Sequence, residues 1–238
     1  MRKIIFANWK LKPAAVGEAV ALARATDKEN LVICPPFTFI EEVAGVLKRS
    51  KLGAQDFQDE GKLISLGVKY IIIGHSDRRL GLGETNEMVA EKFVATIAGS
   101  LVPILCVGET LEQKRSGQKE IIIGEEIRSA FSRFQPLTAN SQPPIFIAYE
   151  PIWAISTSET AQPDKPENTL EVIDFIKRIL NEFNKNILDK LVFIYGGSIT
   201  SANAGEFLKH REIAGLLIGA ASLIPEEINQ ITSTAAGL

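Results

Sequence analysis

Short runs of β-branched and aliphatic residues recur along the chain, separated by longer stretches with apolar residues at three- and four-residue spacing. The short runs predict strands over Lys3–Ala7, Leu31–Cys34, Leu52–Ala54, Tyr70–Gly74, Val102–Val107, Ile145–Tyr149, Leu191–Tyr195 and Gly215–Ile218. Most are continuously apolar rather than alternating, as parallel strands buried on both faces require. The longer stretches predict helices over Glu18–Thr26, Ile40–Lys48, Glu84–Ser100, Lys119–Phe134, Thr169–Phe183 and Ala202–Lys209. Strands alternating with helices make βαβ units and one parallel sheet. Eight units in 238 residues leave about 30 residues each, enough for a strand, a helix and two turns. The pattern therefore predicts an α/β protein with a single (β/α)8 barrel over residues 1–238, a closed parallel sheet with outer helices. No linker divides it. The polar, proline-rich Pro136–Pro144 stretch precedes a strand and predicts a loop on the N-terminal face.

Composition adds exclusions. Hydrophobic residues make up 45% and charged residues 23%, which is globular composition and excludes disorder and collagen. A formal net charge of −3 argues against a broad nucleic-acid surface. The two cysteines, Cys34 and Cys106, form no CxxC pair, and with two histidines they suggest neither a disulfide framework nor a structural zinc site. A reducing, cytoplasmic setting is expected. Apolar runs such as Leu101–Val107 are far short of a membrane span, and the run after Lys3 is too short for a signal peptide and reads as a first strand.

In a parallel barrel, reactive side chains sit at or just beyond the C-terminal ends of strands. Reading only those positions gives Asn8-Trp9-Lys10, His75-Ser76-Asp77, Gly108-Glu109, Glu150-Pro151, Gly196-Gly197-Ser198 and Gly219-Ala220. A base, an imidazole, an ammonium and two glycine-rich turns thus converge on one face. There is no nucleophilic serine with its own base and no carboxylate cluster for a metal. Ser76-Asp77 reads as a helix start with Ser76 as its cap, and the positive end of that helix disfavours an imidazolium at His75. His210, between Lys209 and Arg211, reads as surface.

Over its whole length the chain resembles the triosephosphate isomerase family of TIM barrels. The resemblance rests on Asn8-Trp9-Lys10, Gly74-His75-Ser76, Cys106-Val107-Gly108-Glu109, Ala148 to Ile155, Tyr195-Gly196-Gly197-Ser198 and Gly215 to Leu223, in order and each at a strand end. It implies a glycolytic and gluconeogenic aldose–ketose isomerase that needs no cofactor and no metal. Glu150 would be the base that removes the proton next to the substrate carbonyl, and His75 would donate a hydrogen bond to the carbonyl oxygen and shuttle protons. Lys10 would be the fixed positive charge, with Asn8 as a second donor. Asp77 and Glu109 would orient Asn8 and Lys10 from behind. Amides of Gly196, Gly197, Ser198, Gly219 and Ala220, with Ser156, would hold the phosphate at a helix start. Pro151-Ile152-Trp153 would hinge a lid comprising Ile155, Ser156, Thr157, Ser158 and Glu159, with Tyr195 beside it and Ile155 and Leu217 clamping the base. Cys106 reads as a packed core thiol.

The chain departs from that family in several places. Two lid glycines are Ser156 and Ser158 here and a lysine is Glu159, which implies altered closure; a serine forced to φ > 0 stores about 1–3 kcal/mol. Gln162–Lys165 lengthens the approach to the next helix. Asp77 is one methylene shorter than the usual glutamate, which implies that it falls short of Lys10. The usual second glycine after strand eight is Ala220. Between Gln55 and His75 the family carries about ten more residues, in a loop that inserts into a partner subunit; here only Asp56–Leu63 remains, and Lys12 replaces an asparagine near the same interface. A monomer or weakened homodimer is expected. Two alternatives remain open: a phosphate-binding barrel with little turnover, and another phosphosugar enzyme of the same fold.

Overall fold

The computed structural model describes residues 2–57, 60–135, 143–155, 161–183 and 185–238. Eight parallel strands close into a barrel in sequential order: β1 (Ile4–Asn8), β2 (Leu31–Cys34), β3 (Lys51–Gln55), β4 (Val68–Ile73), β5 (Val102–Val107), β6 (Ile145–Tyr149), β7 (Leu191–Tyr195) and β8 (Gly215–Ile218). Closure is made by β1 on β8, with Ile4 opposite Gly215 and Ala7 opposite Ile218. The helices are α1 (Val16–Thr26), α2 (Ile40–Ala44), α3 (Glu60–Ser65), α4 (Ser76–Leu82), α5 (Asn86–Ala98), α6 (Leu111–Arg115), α7 (Lys119–Ser132), α8 (Pro166–Phe183), α9 (Ala204–Leu208) and α10 (Pro225–Ala236).

The continuous apolar runs have a direct cause: every strand is buried twice. Phe6, Val32, Tyr70, Ile72, Ile104, Cys106, Phe146, Ala148, Ile194 and Leu217 fill the barrel interior, where Phe6 packs edge-on against Tyr70 and Phe146 with ring centroids 5.4 and 5.1 Å away. Their neighbours Ile5, Ala7, Ile71, Ile73, Leu105, Ile147, Phe193 and Leu216 face outward into the larger core under the helices. Period-two alternation also aims the site. Asn8 continues the inward series of Phe6, and Glu150 that of Phe146 and Ala148, so both reach the mouth of the barrel.

The strands lie within two residues of the predicted ends; the helices differ more. Thr85 starts α5 two residues late because its Oγ1 accepts the Met88 amide at 3.3 Å. α2 stops at Ala44, before Gly45, the residue with the weakest helix propensity after proline. α3, α6 and α10 were not predicted. Most of the Pro136–Pro144 stretch lies outside the described residues.

Candidate active site

Glu150 follows β6 directly, and its amide donates to Val107 O at 2.8 Å. The residue is 3% exposed, and both side-chain oxygens are occupied: Oε2 accepts the Ser76 amide at 3.0 Å, and Oε1 lies 2.8 Å from His75 Nε2. His75 is placed by Gly74, whose φ of +69° breaks the strand alternation at a position where glycine carries no penalty. The cap of α4 is His75 itself and not Ser76: Nδ1 accepts the Asp77 amide at 3.1 Å, and Ser76 is the first helical residue. A ring nitrogen that accepts carries no proton, so Nε2 bears the hydrogen and donates it to Glu150. The sequence alone suggested a hydroxyl cap because serine is a common one; here the imidazole does that work and fixes its own tautomer.

Lys10 sits just past β1 with φ at +57°, a left-handed conformation that costs a side-chain-bearing residue about 1–2 kcal/mol. Asn8 Oδ1 accepts the Lys10 amide at 3.2 Å. Lys10 Nζ lies 3.0 and 3.2 Å from the two oxygens of Asp77. The expected shortfall of Asp77 is therefore corrected: α4 starts close enough that the shorter carboxylate reaches. Asn8 Nδ2 is buried without a hydrogen-bond partner among the described residues, and the side chain lines the cavity. An unpaired buried donor is uncommon and marks a place for an acceptor.

These groups line a cavity of about 150 Å³, together with Ile155, Gly196, Gly197, Ser198, Leu217, Gly219 and Ala220. Leu217 is buried and Ile155 half-buried, and the two give this cavity, which Glu150 also lines, an apolar side. Two candidate phosphate amides are engaged within the protein: Gly196 N donates to Tyr149 O at 2.8 Å and Ser198 N to Ala154 O at 2.9 Å. The helix start expected after strand eight is a short 3₁₀ turn, Ala220–Leu223, with Gly219 at its cap, and α10 follows from Pro225. Lys12 also lines the cavity.

Glu109 serves a different purpose from the one expected. It is fully buried and touches neither Asn8 nor Lys10; Oε1 accepts the Trp153 indole N–H at 2.8 Å and the Tyr149 hydroxyl at 3.2 Å, and its carbonyl accepts the Ile152 amide at 3.0 Å. Burial pushes its carboxyl above the usual range, opposed by the Trp153 and Tyr149 bonds. Lys114 Nζ stands 3.2 Å from the Trp153 ring centroid. The segment entering the expected lid is thus fixed on a buried carboxylate, and Gln162 N, on the far side, donates to Trp153 O at 3.1 Å. Tyr195 lies within β7 and stacks on Phe207 at 4.1 Å. Cys106 is buried in the inner barrel wall. Ser156, Thr157, Ser158 and Glu159 lie outside the described residues.

Gly108 packs directly against the Glu150 backbone. A Cβ there would stand 2.1 Å from Glu150 O and 2.6 Å from Glu150 C, which is backbone that cannot swing away. Gly108→Ala is expected to displace the Glu150 peptide, lowering kcat roughly 10- to 100-fold and stability by about 1–3 kcal/mol. Steady-state kinetics and thermal unfolding check this; unchanged kcat would show that the displacement does not reach the carboxylate.

A carboxylate and an imidazole in contact, beside a constrained lysine at the carboxyl-end mouth of a parallel barrel, define a (β/α)8 protein with a proton-transfer site. Residues 3–235 match the family model described as triosephosphate isomerase. The chain is 36% identical to the triosephosphate isomerase of Aquifex aeolicus over 250 residues, covering 97% of this chain and 98% of that protein. Identity to the Dictyoglomus thermophilum enzyme of that name is 37%, covering 98% of this chain and 99% of that protein. For Buchnera aphidicola it is 39%, covering 97% and 96%. The chain belongs to the triosephosphate isomerase family.

Proposed function

We propose that this isomerase interconverts dihydroxyacetone phosphate and D-glyceraldehyde 3-phosphate through an enediolate, with Glu150, His75, Lys10 and Asn8 carrying the chemistry. Glu150 takes a proton from the carbon next to the carbonyl, and the Nε2–H of His75 hydrogen-bonds to the carbonyl oxygen. The electron pair left by the C–H bond forms the enediolate double bond, and the oxygen takes the negative charge. Lys10 and the unpaired Asn8 Nδ2 stabilise that charge. Return of the proton to the adjacent carbon, with transfer of the hydroxyl proton between the two oxygens, gives the other isomer.

The observation that carries this reading is the 2.8 Å pairing of His75 Nε2 with Glu150 Oε1 at the cavity wall. The donor that the carbonyl needs and the base that the C–H needs are satisfying each other, so substrate has to part them and release Glu150 from the Ser76 amide. Gly196, Gly197, Ser198, Gly219 and Ala220 form the phosphate side; for Ser198 to offer its amide it must release Ala154 O. A coupled assay with D-glyceraldehyde 3-phosphate tests the function. Conversion is expected, and a chain that binds the phosphate without turning it over would favour the phosphate-binding alternative.

The reading extends to setting and assembly. Both cysteines are free and buried, and no helix among the described residues is long and apolar enough to cross a membrane, which supports action in the cytoplasm. The turn after β3 folds inward: Asp56 is buried and pairs with Arg78 at 2.8 Å and Lys92 at 2.6 Å, and both cations also bridge to Glu84. A residue held in that way does not reach across to a partner. Leu11, Leu80 and Leu82 stay exposed near Lys10 and on or beside α4, leaving a small apolar surface for self-association. These features support a monomer or a readily dissociating dimer. Sedimentation over a dilution series is expected to show monomer at about micromolar concentration; a dimer that survives nanomolar dilution would contradict this.

A further inference from the structure

Behind Glu150, on the side away from the substrate cavity, lies a second buried carboxylate that the chemistry above does not use. Glu126 belongs to α7 and is 6% exposed, on the stripe that also buries Ile123, Ile127 and Ala130. Its Oε2 accepts the Gly108 amide at 2.9 Å. Its Oε1 lies 3.5 Å from Arg79 Nε. Arg79 reaches inward from α4, donating to Gly74 O at 2.8 Å and to Asn86 Oδ1 at 2.7 Å, while its Nη2 is buried with no hydrogen-bond partner among the described residues. Glu126, Arg79, Gly108, Ser76 and Glu150 share the wall of one cavity of about 10 Å³.

Three facts converge on the base. Gly108 is the residue against which the Glu150 peptide is seated. Ser76, whose amide holds the Glu150 carboxylate, lies three residues before Arg79 on the same helix. A guanidinium facing this small cavity would by itself stabilise the ionised form of any nearby carboxylate and so blunt a base. We propose that Glu126 is a positioning residue for proton transfer: its carboxylate balances Arg79 behind Glu150 and holds the Gly108 amide on which the Glu150 peptide rests. The inference depends on Glu150 being the base.

The charge state of Glu126 follows from its surroundings. Burial is the largest influence and pushes its carboxyl up to about 7; Arg79 and the Gly108 amide pull it down, and the Glu109 and Glu150 charges push it up. Cys106 on β5 faces the same cluster, its thiol pushed up mainly by burial. Charged groups that α5 and α8 present to α7 pair toward the outer surface instead: Glu91 with Arg133, Glu171 with Lys119 and Arg178 with Glu120. Glu126 therefore changes charge near neutrality, and protonation leaves Arg79 unbalanced. The folded state holds this proton more tightly than the unfolded chain, so Glu126 lowers stability as pH rises from the ordinary carboxylate range to about 7.

Glu126→Gln is the test, since the amide oxygen still accepts from Gly108 while the charge is lost. At saturating substrate, kcat at about pH 8 is expected to fall roughly five-fold with KM within two-fold, and to converge on the wild-type value below about pH 6. The wild-type kcat profile should show an inflection near 7 that the variant lacks. The variant's melting temperature relative to wild type should rise from pH 5 to pH 8. Glu126→Asp retains the charge and should retain the inflection, which a role in packing alone would not produce; if Glu126→Gln fails to fold, this second variant and the wild-type profile decide. Equal kcat for Glu126→Gln and wild type at every pH, or no wild-type inflection, would overturn the inference. Glu150→Gln is assayed alongside: retained turnover there would remove the base assignment itself, whereas its loss with a silent Glu126→Gln would remove only the role of Glu126.

Discussion

Glu150→Gln is expected to lower kcat by a factor of about 10²–10⁴ while leaving KM within a few-fold. The carboxylate meets two donors, the Ser76 amide at 3.0 Å and His75 Nε2 at 2.8 Å. A glutamine has one oxygen and one NH₂, so whichever way it turns, one of those donors faces another donor. His75 cannot relieve this by changing tautomer, because its Nδ1 is committed to the Asp77 amide. The variant therefore loses the base and also leaves a buried donor unpaired, costing about 1–3 kcal/mol of stability. Glu150→Asp separates the two effects. It retains both acceptor oxygens but draws them back by about a methylene, enough to cost on the order of 100-fold in kcat. Steady-state kinetics with melting curves read both variants, and a kcat within two-fold of wild type for Glu150→Gln would rule Glu150 out as the base.

Lys10→Ala should cost about 10²–10³ in kcat/KM, with kcat and KM both impaired. Lys10 is pinned by its Asp77 contacts and by the Asn8 side chain on its amide, and it holds a left-handed φ of +57°. Strain of that kind persists where the surroundings over-determine it, and here it keeps an ammonium at the cavity wall. Alanine at this position bears much the same backbone penalty, so the activity loss should come with little change in melting temperature. Lys10→Gly should melt higher than Lys10→Ala and be no more active. If Lys10→Ala kept wild-type kcat/KM, the fixed cation would not be needed for the enediolate.

The barrel was legible because strands buried on both faces write long apolar runs, as in Tyr70 to Ile73 and Val102 to Val107, and no other element in a chain of this size repeats them eight times. Strand-end positions then pointed to Glu150, His75, Lys10 and Asn8, which the structure brings to one cavity. Short helices were harder. α3 and α6 span one to two turns, too few for a 3.6-residue period to stand out. α10 is rich in serine and threonine, and it is helical because Ile228 and Ile231 are fully buried rather than because of local preference. Its one local signal was Pro225 in the first turn.

Contacts between side chains far apart in sequence were not legible. Glu109 lies beside a strand end like the other candidates, and only the fold shows that it reaches Trp153 and Tyr149 rather than Asn8 and Lys10. Asp77 reaches Lys10 because of where α4 begins, which residue length alone does not reveal. Glu126 did carry a signal: it sits on the apolar stripe of α7 between Ile123 and Ile127, where a glutamate is out of place unless it has a buried partner.

The most direct test of the account is turnover of D-glyceraldehyde 3-phosphate in D₂O, followed by NMR of the product. Proton transfer through a carboxylate exposes the abstracted proton to solvent exchange, so dihydroxyacetone phosphate carrying deuterium at carbon 1 is predicted in a measurable fraction of product, and the conversion should be lost with Glu150→Gln. No conversion, or conversion in which no product carries solvent deuterium, would contradict an enediolate formed by Glu150.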